Sequence, residues 1–156
     1  YIDMVTNTIN SKDVHKVEYV NISGDVSLEG GNAINDHFKN NNLPSPLTPD
    51  GTLKAATLSL LGGEGFNTPT KKGSHSVIIS GVSGSNTERA VTSGHEVFGH
   101  GIPSARRESD VNNNTNAIRT DNLIRRILGL PQRDGSDHAG GFNGGIVDPQ
   151  KLPRTQ

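Results

Sequence analysis

His95, Glu96 and His100 are the residues whose types and spacing point most directly to chemistry. Two imidazoles can share a divalent cation, and a carboxylate beside them can take a proton from water. The chain has no cysteine, so any metal must be held by His, Asp or Glu. A catalytic zinc normally keeps three protein ligands and one open position, which leaves a pair of His one ligand short. Asp121 is the expected third ligand, because it lies downstream on a separate predicted helix, inside an apolar stripe where an unpaired carboxylate is costly. Its alternative is an ion pair with Arg125, four residues on. Glu108, Asp110 and His138 compete for the place. Glu108 and Asp110 sit near Arg106 and Arg107 in a polar segment and read as solvated charges. His138, beside Asp137 in a Gly-rich loop, is a candidate for binding zinc or for donating a hydrogen bond to an oxyanion. His15, His37 and His75 have no partner at ligand spacing and read as structural or exposed.

The spacing of the two His is irregular for a metal helix. In His-Glu-x-x-His the imidazoles are four apart and share a face, with Glu as base. Here they are five apart, so a regular α-helix would splay them by about 140° instead of about 40°. A one-residue π-bulge restores the register, and Gly99 removes side-chain crowding where it would sit. The alternative is a chance arrangement of three surface groups. The segment His95-Glu96-Val97-Phe98-Gly99-His100 resembles the His-Glu-x-x-Gly-His motif of the dipeptidyl peptidase III family, whose zinc helix carries such an extra residue. The chain is far too short for that family, so its substrate preference is not carried over.

A broader resemblance runs from about Leu58 to His138. A β segment, a Gly-rich turn and the His-Glu helix are followed by Ala117-Ile118-Arg119-Thr120-Asp121-Asn122-Leu123-Ile124-Arg125 and Leu128-Gly129-Leu130-Pro131. This is similar to zincin metallopeptidase domains found as effectors and at the C-termini of Rhs-type polymorphic toxins, which often have Glu-Asn at Asp121-Asn122. The resemblance implies a minimal zincin-like α+β domain, with a small mixed or antiparallel sheet packed on the metal-motif helix and a second ligand-bearing helix. It also implies one zinc ion, a protein or peptide substrate, secretion or delivery into a target cell, and an inhibitor or immunity protein as partner.

The elements that must position these residues are partly readable. Lys16 to Asn21 and His75 to Ser80 read as strands, the latter because Val77-Ile78-Ile79 are β-branched and bounded by Gly73 and Gly81. Ala55 to Leu61 is an apolar run of ambiguous period that leans to strand. Helices are expected over Asn32 to Lys39, from the turn at Ser83–Thr87 into His95, and from Asn116 to Leu130. The last places Ala117, Ile118, Ile124, Ile127 and Leu128 on one arc, with Asp121 among them. The strand at Val77 to Ile79 is expected either to offer an edge to an extended substrate or to lie in the core.

Composition sets the frame. At 156 residues and 30% hydrophobic the chain fits a single domain with a thin core. Residues 1–50 read as a variable outer layer, 51–140 as the catalytic core, and 141–156 as a Gly- and Pro-rich, partly mobile tail. A net charge of -1 without a basic run argues against nucleic acid, and no apolar stretch approaches the roughly 20 residues that span a bilayer. The start at Tyr1 suggests a domain excised from a longer protein or a processed product. Two rivals to a peptidase remain at this stage. One is a metal-stabilised binding module with a closed site in which His138 is the fourth ligand. The other is a hydrolase of a non-peptide amide or ester.

Overall fold

The structure, a computed structural model, describes residues 2–82 and 85–135. His138 and the tail at 141–156 lie outside the described residues. The main sheet contains β1 (Val14–Asn21), β4 (Gly65–Thr70) and β5 (Gly73–Ser80) in the order β1-β5-β4. β5 runs parallel to β1 and antiparallel to β4, so the sheet is mixed. A short antiparallel ribbon joins β2 (Asp25–Val26) to β3 (Leu53–Lys54). The helices are α1 (Ile2–Ile9), α2 (Leu28–Asn40), α3 (Ala55–Gly62), α4 (Asn86–Gly94), α5 (Gly101–Ala105) and α6 (Asp110–Ile127). Between α4 and α5 the chain forms a π-helical turn, His95–His100. The fold is α+β, as expected.

The two faces of the sheet differ in chemistry because side chains alternate along each strand. Val20, Val77 and Ile79 face the main core, where they meet Ile34 and Phe38 of α2, Leu53, and Leu58 of α3. Phe66 of β4 closes this cluster with its ring 6.0 Å from that of Phe38. The opposite face presents Ser74 and Ser76, both buried. Ser76 Oγ donates to the Glu96 carbonyl at 3.3 Å and accepts from Asn67 Nδ2 at 2.7 Å. These small side chains let the π turn and α5 approach the sheet closely, and α6 packs on the turn from its other side.

Several elements differ from expectation. Within residues 1–50, read as an outer layer, the chain supplies an edge strand and a core helix. β5 is the central strand, so it offers no edge, and the outer edge beside the π turn belongs to β4. Ala55 to Leu61 is helical rather than a strand. A strand would put Leu58 and Leu60 on one face, whereas a helix turns them about 200° apart; Leu58 is 0% exposed and Leu60 89%. α6 starts at Asp110, well before Asn116, because Ser109 is the cap and accepts from Asn112 N–H at 3.4 Å. Ile127 and Leu128 at its far end are exposed, and Gly129 leaves the helix with φ 68, a conformation that glycine adopts without strain. The metal helix begins as expected, with Ser85 accepting from Glu88 N–H at 3.1 Å.

The helical phase of α3 gives a direct test. Leu58→Ala is expected to cost about 2–5 kcal/mol, and Leu60→Ala less than about 0.5 kcal/mol, by urea denaturation. Equal losses at both positions would place the segment in a strand.

Candidate metal centre

His95 and His100 come together because the turn that carries them is wider than an α-helix. The Gly101 N–H bonds to the Glu96 carbonyl, a five-residue step that rotates each residue less than 100° and restores the shared face. The two rings stand 4.8 Å apart between centroids and nearly perpendicular, at 80°. One ligand atom from each of His95, Glu96 and His100 lies within 4.8 Å of the other two.

Close packing holds this unusual turn. A Cβ on Gly99 would lie 2.8 Å from Ala117 Cα of α6, and one on Gly94 2.0 Å from Ile124 Cδ1. Glycine at 99 therefore serves the approach of α6 as well as the register of the turn. Asn116 of α6 donates its side-chain N–H groups to the carbonyls of Phe98 at 3.2 Å and Gly99 at 2.7 Å. Carbonyls displaced from α-helical pairing thus find partners on the neighbouring helix, as buried backbone requires.

Each imidazole is oriented from behind. The His95 Nδ1 lies 3.4 Å from Asp121 Oδ2, and the His100 Nδ1 bonds to Asn113 Oδ1. Asn113 is fixed in turn by donating to Ser104 Oγ at 3.0 Å. With both Nδ1 atoms so engaged, Nε2 is the nitrogen each ring would turn to an ion, the arrangement typical of metal-binding His. Imidazole donors suit zinc and other first-row metals.

Asp121 is buried, as its place in the apolar stripe foretold, but it stands behind His95 and does not join the converging group. Its Oδ1 accepts from Arg125 and its Oδ2 from Arg133, and Oδ2 also faces the His95 Nδ1 at 3.4 Å. Burial alone would raise its pKa. The hydrogen bond from His95 and the charges of Arg133, His95 and Arg125 outweigh that and hold it at about 2. Arg133 is placed by Asn122, fully buried, whose side chain accepts from the Arg133 N–H at 2.7 Å and donates to its carbonyl at 2.8 Å.

Glu96 has the opposite environment. It is 6% exposed, and burial pushes its pKa up to about 7 against the opposing charges of His95 and Arg133. Its Oε2 is buried with no hydrogen-bond partner among the described residues, which suits a cation's ligand. Gly65 of β4 makes the room, since a Cβ there would fall 2.5 Å from Glu96 Cγ. The residues present therefore fit a metal ion, with His95, Glu96 and His100 as the group that could hold it.

The other candidates fall elsewhere. Glu108 and Asp110 are exposed, Asp110 in the first turn of α6. His15 bonds to Ser74 Oγ at 2.9 Å, His75 lies 3.3 Å from Glu18, and His37 sits beside the rings of Phe38 and Phe66. Asn113, Asn116, Asn122 and Arg133 escaped the sequence reading. The signal for Asn113 and Asn116 was present in the Asn-rich run at 112–116, because Asn inside a helix competes for backbone bonds and survives there best when its side chain has other work. No protein-family model matches the chain, and comparison with curated proteins and with solved structures returned no match.

Two outcomes follow from this geometry. Gly99→Ala should lower stability by about 1–3 kcal/mol and separate the two His, measurable as weakened zinc affinity together with a lower denaturation midpoint. Because Glu96 binds its proton more tightly in the folded chain, metal-free protein should lose stability as pH rises from 4.5 to about 7. The loss is at most about 3 kcal/mol and is removed by Glu96→Gln. Parallel urea midpoints for the two proteins across that range would refute the burial of a lone carboxyl.

Proposed function

We propose that this chain is a zinc-dependent hydrolase acting on peptide bonds, with His95 and His100 as ligands and Glu96 as the proton-transfer residue. The observation that carries this reading is the convergence of both imidazoles on a buried carboxyl, with one ligand atom of each within 4.8 Å of the others. When bound, zinc would supply Lewis acidity that polarises a carbonyl and acidifies water. Glu96 accepts a proton from water at a carboxylate oxygen and returns it to the departing amine, the shuttle a carboxyl beside a metal site is placed to perform. Gly65 keeps the space beside that carboxylate open. Asp121 keeps its negative charge behind His95 and favours the Nδ1-protonated ring. An extended substrate would pair with β4, the strand next to Glu96 that has an outer edge.

The proposal of a toxin or effector, secreted or delivered to another cell and restrained by an immunity protein, rests on the sequence resemblance alone. None of the helices is long and apolar enough to cross a membrane among the described residues.

A second reading is favoured by the grouping itself. Glu96 lies within the same 4.8 Å cluster as the two His and would serve as a ligand in a zinc-stabilised binding module. Glu96→Gln separates the two. For the hydrolase, this variant retains stoichiometric zinc and loses at least about a hundredfold in peptide cleavage. For the module, it loses zinc and the wild type cleaves nothing. His95→Ala should abolish zinc binding in either case, and Asp121→Asn should weaken it by about 10–100-fold. Metal analysis and a peptide-library digest, with amide and ester substrates included, provide the measurements.

A further inference from the structure

A cavity of about 610 Å³ lies between α1, β1, α5 and α6, apart from the metal cluster. Its size falls in the roughly 300–1,000 Å³ range of small-molecule sites. Met4 and Ile102 supply apolar wall, while Asp13, His15, Arg106 and Asn116 supply polar groups. Arg106 is the informative one. Among the described residues no hydrogen-bond acceptor engages its guanidinium, whereas the adjacent Arg107 donates to the Thr70 carbonyl. Asp13 lines the same cavity and, among the described residues, forms no ion pair with it; its Oδ2 accepts from Ser11 Oγ at 3.2 Å, which leaves Oδ1 as the acceptor for a ligand.

The remaining polar atoms narrow the ligand. His15 uses Nδ1 on Ser74 Oγ at 2.9 Å, which leaves its other ring nitrogen for the cavity. Asn116 uses its N–H groups on the π-turn carbonyls, which leaves its carbonyl oxygen as an acceptor. One planar, bidentate cation matches one carboxylate. A phosphate dianion would meet a single cation and the like charge of Asp13. The acceptors, Asn116 Oδ1 and Asp13, call for a ligand that also donates an N–H, and Met4 and Ile102 call for a small apolar group.

We propose that this cavity is a binding site for a small N–H-bearing monocarboxylate of amino-acid size, such as the C-terminal residue of a peptide, with Arg106 gripping the carboxylate. The site is independent of any metal at His95 and His100. Its wall nevertheless includes Asn116, which secures the turn that carries those His, so occupancy is felt at the metal helix.

The test uses the full chain labelled with ¹⁵N and titrated with N-acetyl-L-alanine or, as the uncharged match, N-acetyl-L-alaninamide. The carboxylate should give saturable shifts at the Asn116 side-chain amide and around Arg106, unchanged by a chelator, and the amide should give none. Arg106→Gln, at an exposed position, should keep the folded spectrum and weaken the carboxylate at least tenfold, while Arg107→Gln should leave it unaltered. Equal binding of the amide, unaltered affinity in Arg106→Gln, or shifts confined to His95 and Glu96 would each overturn the proposal. Failure of zinc binding or peptide cleavage would leave these shifts in place, so the two readings stand or fall separately.

Discussion

The structure depends on a single geometric constraint, the six-residue π turn that lets residues five apart share one face of a helix. Such a turn is intrinsically poor, since it stretches the backbone ladder and displaces carbonyls. It persists because everything around it fits only that shape. Gly94 and Gly99 admit α6 to contact with the helix axis, Asn116 captures two carbonyls, and Ser76 anchors a third from the sheet side. The irregular hydrogen bonding of the turn is thus compensated by contacts from two flanking elements.

Two carboxyl groups on either side of His95 show how packing divides labour. Asp121 and Glu96 are both buried, yet one is held at about 2 and the other pushed up to about 7. The difference is the company they keep. Asp121 has two arginines and an imidazole, whereas Glu96 has an open space prepared by Gly65. Carboxyls whose environments drive their pKa values apart are the usual basis for separating an orienting role from a proton-transfer role.

The parts of the site visible in the sequence are those encoded over short range. His95, Glu96, Gly99 and His100 lie within one turn and a half, and their irregular spacing itself announced the bulge. Burial of Asp121 and its ion pair with Arg125 were visible from helical spacing, but its contacts with His95 and Arg133 were not. They depend on where α6 docks and on the chain after Pro131 doubling back so that Asn122 can clasp Arg133, a tertiary fact with no local signature. The fold shows the same division. β5 was legible from its β-branched run, yet its central position depends on pairing with a strand more than fifty residues earlier. Ala55 to Leu61 misled because Thr57 and Ser59 alternate with Leu58 and Leu60 over a run too short to separate helix from strand.

The outer strand of the sheet carries a consequence for solubility. In the antiparallel pair, Ile79 N–H bonds to the Glu64 carbonyl at 2.8 Å, so with Pro69 opposite Ser74 the alternating ladder aims the Pro69 backbone outward. Proline has no amide hydrogen to offer there. A neighbouring molecule seeking to extend the sheet would find only Gly65 and Asn67 as outward donors before the row is interrupted, which discourages strand-by-strand polymerisation while leaving a short foothold for a transient guest.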